Sequence, residues 1–126
     1  MGRKLFRSMV SDSDGHPTVG PSARTLGVRP EIDIPVVGGR VAPGAGGLSV
    51  SLESPLRLPA HRRPPAHGGS GKDPVFELDE DDLEEGLAVR VDPEDSTHAF
   101  IEPAEGMLLA HLQERLEATR PRWRRV

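Results

Sequence analysis

Two serines and one acid share a side of a short alternating segment. Residues 48–53 alternate apolar and polar side chains, and the polar ones are Ser49, Ser51 and Glu53. Successive side chains of a β-strand point to opposite faces, so these three would share one face and an apolar row would be buried behind them. Such hydroxyl groups can hold a ribose or a neighbouring backbone group. The same pattern also fits a plain solvent-facing side of an antiparallel strand.

Arg7 is a second candidate because it lies among apolar neighbours in residues 5–10. A guanidinium group can bind a phosphate or a carboxylate through two parallel hydrogen bonds. The alternative is an arginine on the exposed face of a strand. The sequence does not separate these two interpretations.

His98 and Glu102 fall on one face of a strand predicted over residues 97–102. At ~3.3 Å per residue they would lie about 13 Å apart, so they cannot act on the same atom. Glu102 could stabilise a developing positive charge or orient a hydroxyl group. Alternatively, it is an acid at the start of the following helix, where the helix dipole favours negative charge.

The remaining candidates are basic or nucleophilic motifs. His61, Arg62 and Arg63 could clamp phosphates, although arginines beside prolines also suit a solvated loop. The histidines show no metal-ligand spacing, so no metal site is expected. The glycine-rich residues 68–72 lack the spacing and the hydroxyl of a phosphate-binding loop, and there is no Gly-x-Ser-x-Gly motif.

The composition limits the class of protein. The sequence has 126 residues with 16 basic and 20 acidic side chains, and this net charge of -4 argues against a general nucleic-acid binder. Cysteine is absent, which excludes disulfides, a thiol nucleophile and thiolate zinc sites. No long apolar run is present, so we expect no cleaved signal peptide and no membrane span. A cytoplasmic site of action is expected, and the sequence is also compatible with export by a route that needs no cleaved signal.

The periodicity predicts an α+β fold with a mainly antiparallel sheet of five or six short strands. The strands are expected over 5–10, 31–37, 48–53, 75–78, 87–92 and 97–102, and an amphipathic helix over 105–119. The glycines and prolines predict two long loops, over 38–47 and 54–72, and a short helical turn around 22–26. Residues 79–85 should form an exposed acidic turn or a single helical turn. The chain is expected to be a single domain, 1–126, with a basic tail over 120–126.

The order of these segments resembles the small ADP-ribosyltransferase-like toxins typified by the Tse-two effector (type VI secretion exported effector two). The resemblance is carried by Lys4-Leu5-Phe6-Arg7, by Gly46-Gly47-Leu48-Ser49-Val50, and by Thr97 to Ala104 followed by Met107 and the helix. These segments are short, keep their order and span almost the whole chain.

The resemblance implies a split sheet with a cleft for NAD as substrate and no metal. Arg7 would then hold a phosphate or ribose of NAD, and Ser49 would organise the nicotinamide ribose. Glu102 would stabilise the sugar cation, with His98 as the alternative. Ser51 is a supporting candidate, and Gly47 would allow close approach of the backbone.

The resemblance also implies a bacterial toxin that needs a neutralising immunity or antitoxin protein. Two other interpretations stay open. One is a non-enzymatic interaction module, suggested by the acidic residues 79–85 and the basic residues 120–125. The other is a ribonuclease-like toxin that would use the basic cluster 61–63 together with Glu102.

Overall fold

Eight strands and one α-helix form the regular structure of residues 2–126, which the computed structural model describes. The strands are β1 (Lys4–Ser8), β2 (Arg40–Val41), β3 (Leu48–Leu52), β4 (Val75–Asp79), β5 (Leu87–Asp92), β6 (Asp95–Pro103), β7 (Met107–Leu108) and β8 (Arg124–Arg125), and the helix is α1 (Leu109–Ala118). Six strands make one antiparallel sheet in the order β5-β6-β3-β1-β4-β8, and β2 pairs with β7. The predicted α+β class with a mainly antiparallel sheet is confirmed.

The main core lies on one face of the large sheet, where the apolar side of each alternating strand is buried. Leu48, Val50 and Leu52 of β3 contribute three of its members, and Leu112 and Leu116 of α1 cover them from outside the sheet. The 3.6-residue period of the helix places both leucines on the same side. A smaller cluster of Phe6, Leu58 and Val75 is buried elsewhere.

The predicted strand over 31–37 is wrong. Glu31 has a positive φ of 70°, and the chain turns there, with the amide of Glu31 bonded to the carbonyl of Ile34. Ile32 and Val37 are 71 % and 79 % exposed, while Ile34 is fully buried. Pro35 offers no N–H to a neighbouring strand, and of the apolar alternation Ile34 enters the core while Val36 packs against it partly buried.

The helix begins at Leu109, four residues later than predicted. Met107 and Leu108 form β7 instead of a first helical turn, because Arg40 and Val41 lie alongside and provide a strand partner. The glycine-rich loop over 38–47 therefore contains a short strand. The loop over 54–72 is likewise organised, into three short 3₁₀ turns at Pro55–Arg57, Ala60–Arg62 and Pro65–His67.

The basic tail folds back onto the domain. Trp123 is fully buried in the main core, its indole Nε1 donates to the Thr119 hydroxyl at 2.9 Å, and β8 pairs with β4 at the edge of the sheet. Arg122 lies 2.7 Å from a carboxylate oxygen of Glu84. One arginine of the tail thus pairs with one acid of the acidic segment within the chain.

Replacing Trp123 by alanine should lower the free energy of unfolding by about 3–5 kcal/mol, because a large buried side chain leaves a cavity. Urea denaturation of the purified protein would measure this loss. Arg125→Ala is the control, since Arg125 is exposed on the same terminal segment. Equal stability of the two variants would show that the tail does not belong to the core.

Among residues 2–126, no helix is long and apolar enough to cross a membrane.

Candidate functional site

A cavity of about 340 Å³ opens beside β1 and β3. We call it the central cavity. It is lined from the sheet by Arg7, Ser8, Ser49, Val50, Ser51 and His98, and from two loops by Ala23, Arg29, Asp33, Leu58, Pro59, His61 and Arg62. Four candidates from the sequence, Arg7, Ser49, Ser51 and His98, therefore meet in one place, and the basic loop adds His61 and Arg62. Glu102, Gly47, Glu53 and Arg63 are not among the lining residues.

The cavity exists because β1 and β3 separate. Their ladder joins Leu5 to Leu52 and Phe6 to Ser51, whereas β1 pairs with β4 over its whole length. Beyond Phe6, the carbonyl oxygen of Ser49 accepts a hydrogen bond from Nη1 of Arg7 at 2.9 Å. The guanidinium therefore takes the place of a backbone partner where the two strands diverge.

The Arg7 side chain is 6 % exposed and is held by backbone carbonyls. Its Nη2 donates to Thr25, Ala23 and Ser22, at 2.9, 3.2 and 3.3 Å respectively. Its Nε is buried and has no hydrogen-bond partner among residues 2–126. A buried donor without a partner is costly to the fold.

Burial, followed by the positive charge of Arg62, lowers the pKa of Arg7 from its ordinary value to about 9. Both effects disfavour the cation because neither water nor a directly bonded carboxylate offsets the buried charge. A bound anion would offset it. At neutral pH the group stays positively charged.

Arg62 brings a second positive charge to the same cavity. Its Nη2 donates to the carbonyl oxygen of Ser8 at 3.0 Å and also to that of Ala23. Burial lowers its pKa as well. By contrast, the neighbouring Arg29 is neutralised by Asp33 at 2.8 Å. Within residues 2–126, neither Arg7 nor Arg62 forms a salt bridge, so the cavity carries a surplus of positive charge.

The two serines occupy the polar side of β3, as the alternation predicts. Ser49 is exposed, and Ser51 is 4 % exposed. In the β3–β6 ladder, Ser49 pairs with Phe100 and Ser51 pairs with His98. This register places the imidazole beside the hydroxyls on one face of the sheet.

His98 is held in a defined orientation. Its Nδ1 lies 2.9 Å from Oδ2 of Asp92, and its ring meets that of Phe100 edge-on with centroids 4.8 Å apart. A neutral ring that donates from Nδ1 to Asp92 keeps a lone pair on Nε2. The backbone N–H of Glu94 and then the contact with His98 hold the pKa of the Asp92 carboxyl below its usual value, so Asp92 is ionised at neutral pH.

The Glu102 carboxylate forms hydrogen bonds with other residues of the protein. One carboxylate oxygen accepts from the backbone N–H of Gly44 at 2.6 Å and from Nε of Arg90 at 3.1 Å. The residue is 6 % exposed. These contacts fasten the glycine-rich loop to β6, and they favour a structural role over the catalytic role that the sequence suggested as one option.

Gly47 approaches protein backbone instead of the central cavity. A Cβ at this position would lie 2.5 Å from the carbonyl oxygen of Ile101, and its amide bonds to the carbonyl of Asp33 at 2.9 Å. The preceding Gly46 is as tightly placed, since its Cβ would meet the same Asp33 oxygen at 2.1 Å. The close approach predicted for these glycines is therefore made to residues 33 and 101.

Three further residues, Arg29, Asp33 and Ala23, line the cavity although the sequence did not indicate them as site residues. They come from the segment wrongly predicted as a strand and from the turn before it. The one available signal was the i,i+4 spacing of Arg29 and Asp33, which is too common to point to a site.

The chain matches no protein-family model, no curated protein and no solved structure.

Proposed function

We propose that this chain is a bacterial toxin with an ADP-ribosyltransferase-like fold that uses NAD as substrate against an intracellular target. The observation that supports the proposal is the meeting of Arg7, Ser49 and His98, from three different strands, in one cavity at the separation of β1 and β3. The resemblance implies NAD binding by Arg7 and Ser49, and catalysis by Glu102 or, as the alternative, by His98.

The charges and hydroxyl groups of the central cavity suit the phosphate and ribose groups of NAD. The surplus charge of Arg7 and Arg62 favours phosphate, which guanidinium groups bind through directed hydrogen bonds. Ser49 and Ser51 supply the hydroxyls for a ribose. A volume of about 340 Å³ is near the lower end for small-molecule sites, so the cavity would hold part of a dinucleotide.

In this reaction His98 would act as the proton acceptor. When the bond between nicotinamide and ribose breaks, nicotinamide leaves with the bonding electron pair and positive charge develops on the sugar. Nε2 of a neutral His98 can then accept the proton of the attacking group, and Asp92 steadies the imidazolium that results. Ser49 and Ser51 would fix the ribose, so that the reacting carbon is held in place.

Expression in a bacterial host tests this proposal. The wild-type chain should arrest growth and deplete NAD, and the double variant Ser49→Ala/His98→Ala should do neither. Ser96→Ala/His111→Ala is the matched control, because both residues are exposed and lie outside the central cavity. A wild-type protein as harmless as the double variant contradicts the proposal. If the protein proves toxic, the neighbouring open reading frame should be screened for the neutralising partner by rescue of growth.

A second candidate function rests on one observation: His61 and His98 line the same cavity, beside Arg62. Metal-independent cleavage of RNA needs one group to accept a proton and another to donate one, with a cation near the phosphate. Purified protein that cleaves RNA without NAD, and loses this activity in His61→Ala, would support the ribonuclease over the transferase.

A further inference from the structure

A second cavity, of about 250 Å³, adjoins the central cavity. We call it the Lys72 cavity. It shares Ser8, His61 and Arg62 with the central cavity and adds Arg24, Ser70, Gly71, Lys72 and Asp73. Arg62 and His61 therefore stand at the junction, where they can reach a ligand in either space.

The Lys72 cavity has a fixed backbone. The amides of Ser70 and Gly71 donate to the carbonyls of Ala60 and Arg63, at 2.9 and 2.7 Å. A Cβ on Gly71 would lie 2.6 Å from the carbonyl oxygen of His61, so the two segments of this loop are in direct contact. Lys72 follows directly, is exposed and lines the cavity.

The charge of the combined space is positive. Arg24 is neutralised by the buried Asp73 at 2.6 Å, just as Arg29 is neutralised by Asp33. Three cations remain that form no salt bridge among residues 2–126: Arg7, Arg62 and Lys72. They follow one another from the strand separation, across the junction, to the far rim.

We infer that the two cavities together bind a pyrophosphate-linked dinucleotide, with the pyrophosphate between Arg62 and Lys72. This inference rests on the proposed function for the identity of the ligand. The nicotinamide riboside half lies in the central cavity, against Ser49 and His98. The adenosine half lies in the Lys72 cavity, which supplies the volume that the central cavity lacks for the whole molecule. Lys72 becomes the residue that distinguishes a dinucleotide from a mononucleotide.

Binding of four probes to the purified full chain and to Lys72→Ala tests this inference by calorimetry. The probes are NAD, ADP-ribose, nicotinamide mononucleotide and inorganic pyrophosphate. Loss of one charge-assisted contact should lower the affinity for NAD, ADP-ribose and pyrophosphate about tenfold. Nicotinamide mononucleotide, whose single phosphate stays at Arg62, should change less than about twofold.

Lys4→Ala is the matched control. Lys4 is the other lysine of the sequence, pairs with Asp79 at 3.4 Å and lines neither cavity. Lys72 is exposed and makes no hydrogen bond or salt bridge within residues 2–126, so its replacement should leave folding intact.

The outcomes distinguish failure of the inference from failure of the proposed function. NAD bound equally by wild type and Lys72→Ala overturns the inference and leaves the function standing. Pyrophosphate bound in a Lys72-dependent way without NAD binding overturns both and leaves an anion site at the junction. Absence of binding for all four probes also overturns both.

Discussion

Replacing His98 by alanine should lower the rate of NAD consumption about 10²- to 10³-fold, the usual loss for a proton-transfer group. The free energy of unfolding should change by less than about 1 kcal/mol, because the pair with Asp92 is partly exposed and such pairs contribute little. The rate would be measured with purified protein, and the stability by urea denaturation.

Glu102→Gln is the informative companion variant, because the sequence left His98 and Glu102 as alternatives for the catalytic group. Its replacement weakens the bond to Gly44 and leaves Arg90 without its carboxylate, which should destabilise the fold by about 1–3 kcal/mol. NAD consumption per folded molecule should stay within a few-fold of the wild-type rate.

The reverse pattern would contradict this assignment. If Glu102→Gln stays fully stable and loses turnover while His98→Ala keeps it, the acid is the catalytic group. His111→Ala on the exposed side of the helix controls for the loss of any histidine.

Replacing Arg7 by methionine should weaken NAD binding about 10- to 100-fold, since charged hydrogen bonds contribute about 1.5–3 kcal/mol each. Calorimetry measures the affinity. Arg125→Met, on the exposed edge strand, is the control and should bind NAD as the wild type does. Unchanged affinity in Arg7→Met would show that the buried guanidinium serves only to hold the turn at residues 22–25.

Two effects on stability oppose each other in Arg7→Met. The carbonyls of Ser49, Ala23 and Thr25 lose their donor, while the cost of burying a cation disappears. Each effect is on the order of 1–3 kcal/mol, so the variant should remain folded and its affinity can be interpreted.

The lowered pKa of Arg7 adds a pH dependence to the same comparison. Affinity of the wild type for NAD should fall as the pH rises through about 9, where the folded protein loses this proton. Between this value and the higher, ordinary pKa of an arginine, the unfolded chain binds the proton and the folded one does not, so wild-type stability should rise with pH relative to Arg7→Met. The sequence has no cysteine and no tyrosine, so few other groups titrate in this range.

The sequence predicted the elements whose side chains alternate without interruption. β3 and the polar face of Ser49 and Ser51 follow from a period-two pattern alone, because this strand buries its complete apolar row of Leu48, Val50 and Leu52. The same patterns could not show that β1 leaves β3 beyond Phe6, which depends on the order of strands in the sheet.

The predictions that were wrong concern segments whose structure depends on residues distant in the sequence. Residues 31–37 alternate like a strand and yet form a turn, because no neighbouring strand is placed to pair with them along their length. Trp123 reads as part of a charged tail and yet is fully buried, since the core space it fills is created by distant residues. Similarly, the junction at Arg62 arises only when loop 54–72 folds over the separation of β1 and β3.

The ring signals of the histidines during an NAD titration test most directly whether the central cavity binds NAD. NMR spectra of the five histidines can be followed up to about 10 mM NAD, above the usual range of Michaelis constants. The proposal predicts that the signals of His98 and His61 shift together along one saturation curve, while that of His111 stays in place. Signals of His98 and His61 that do not move over the whole range would contradict it.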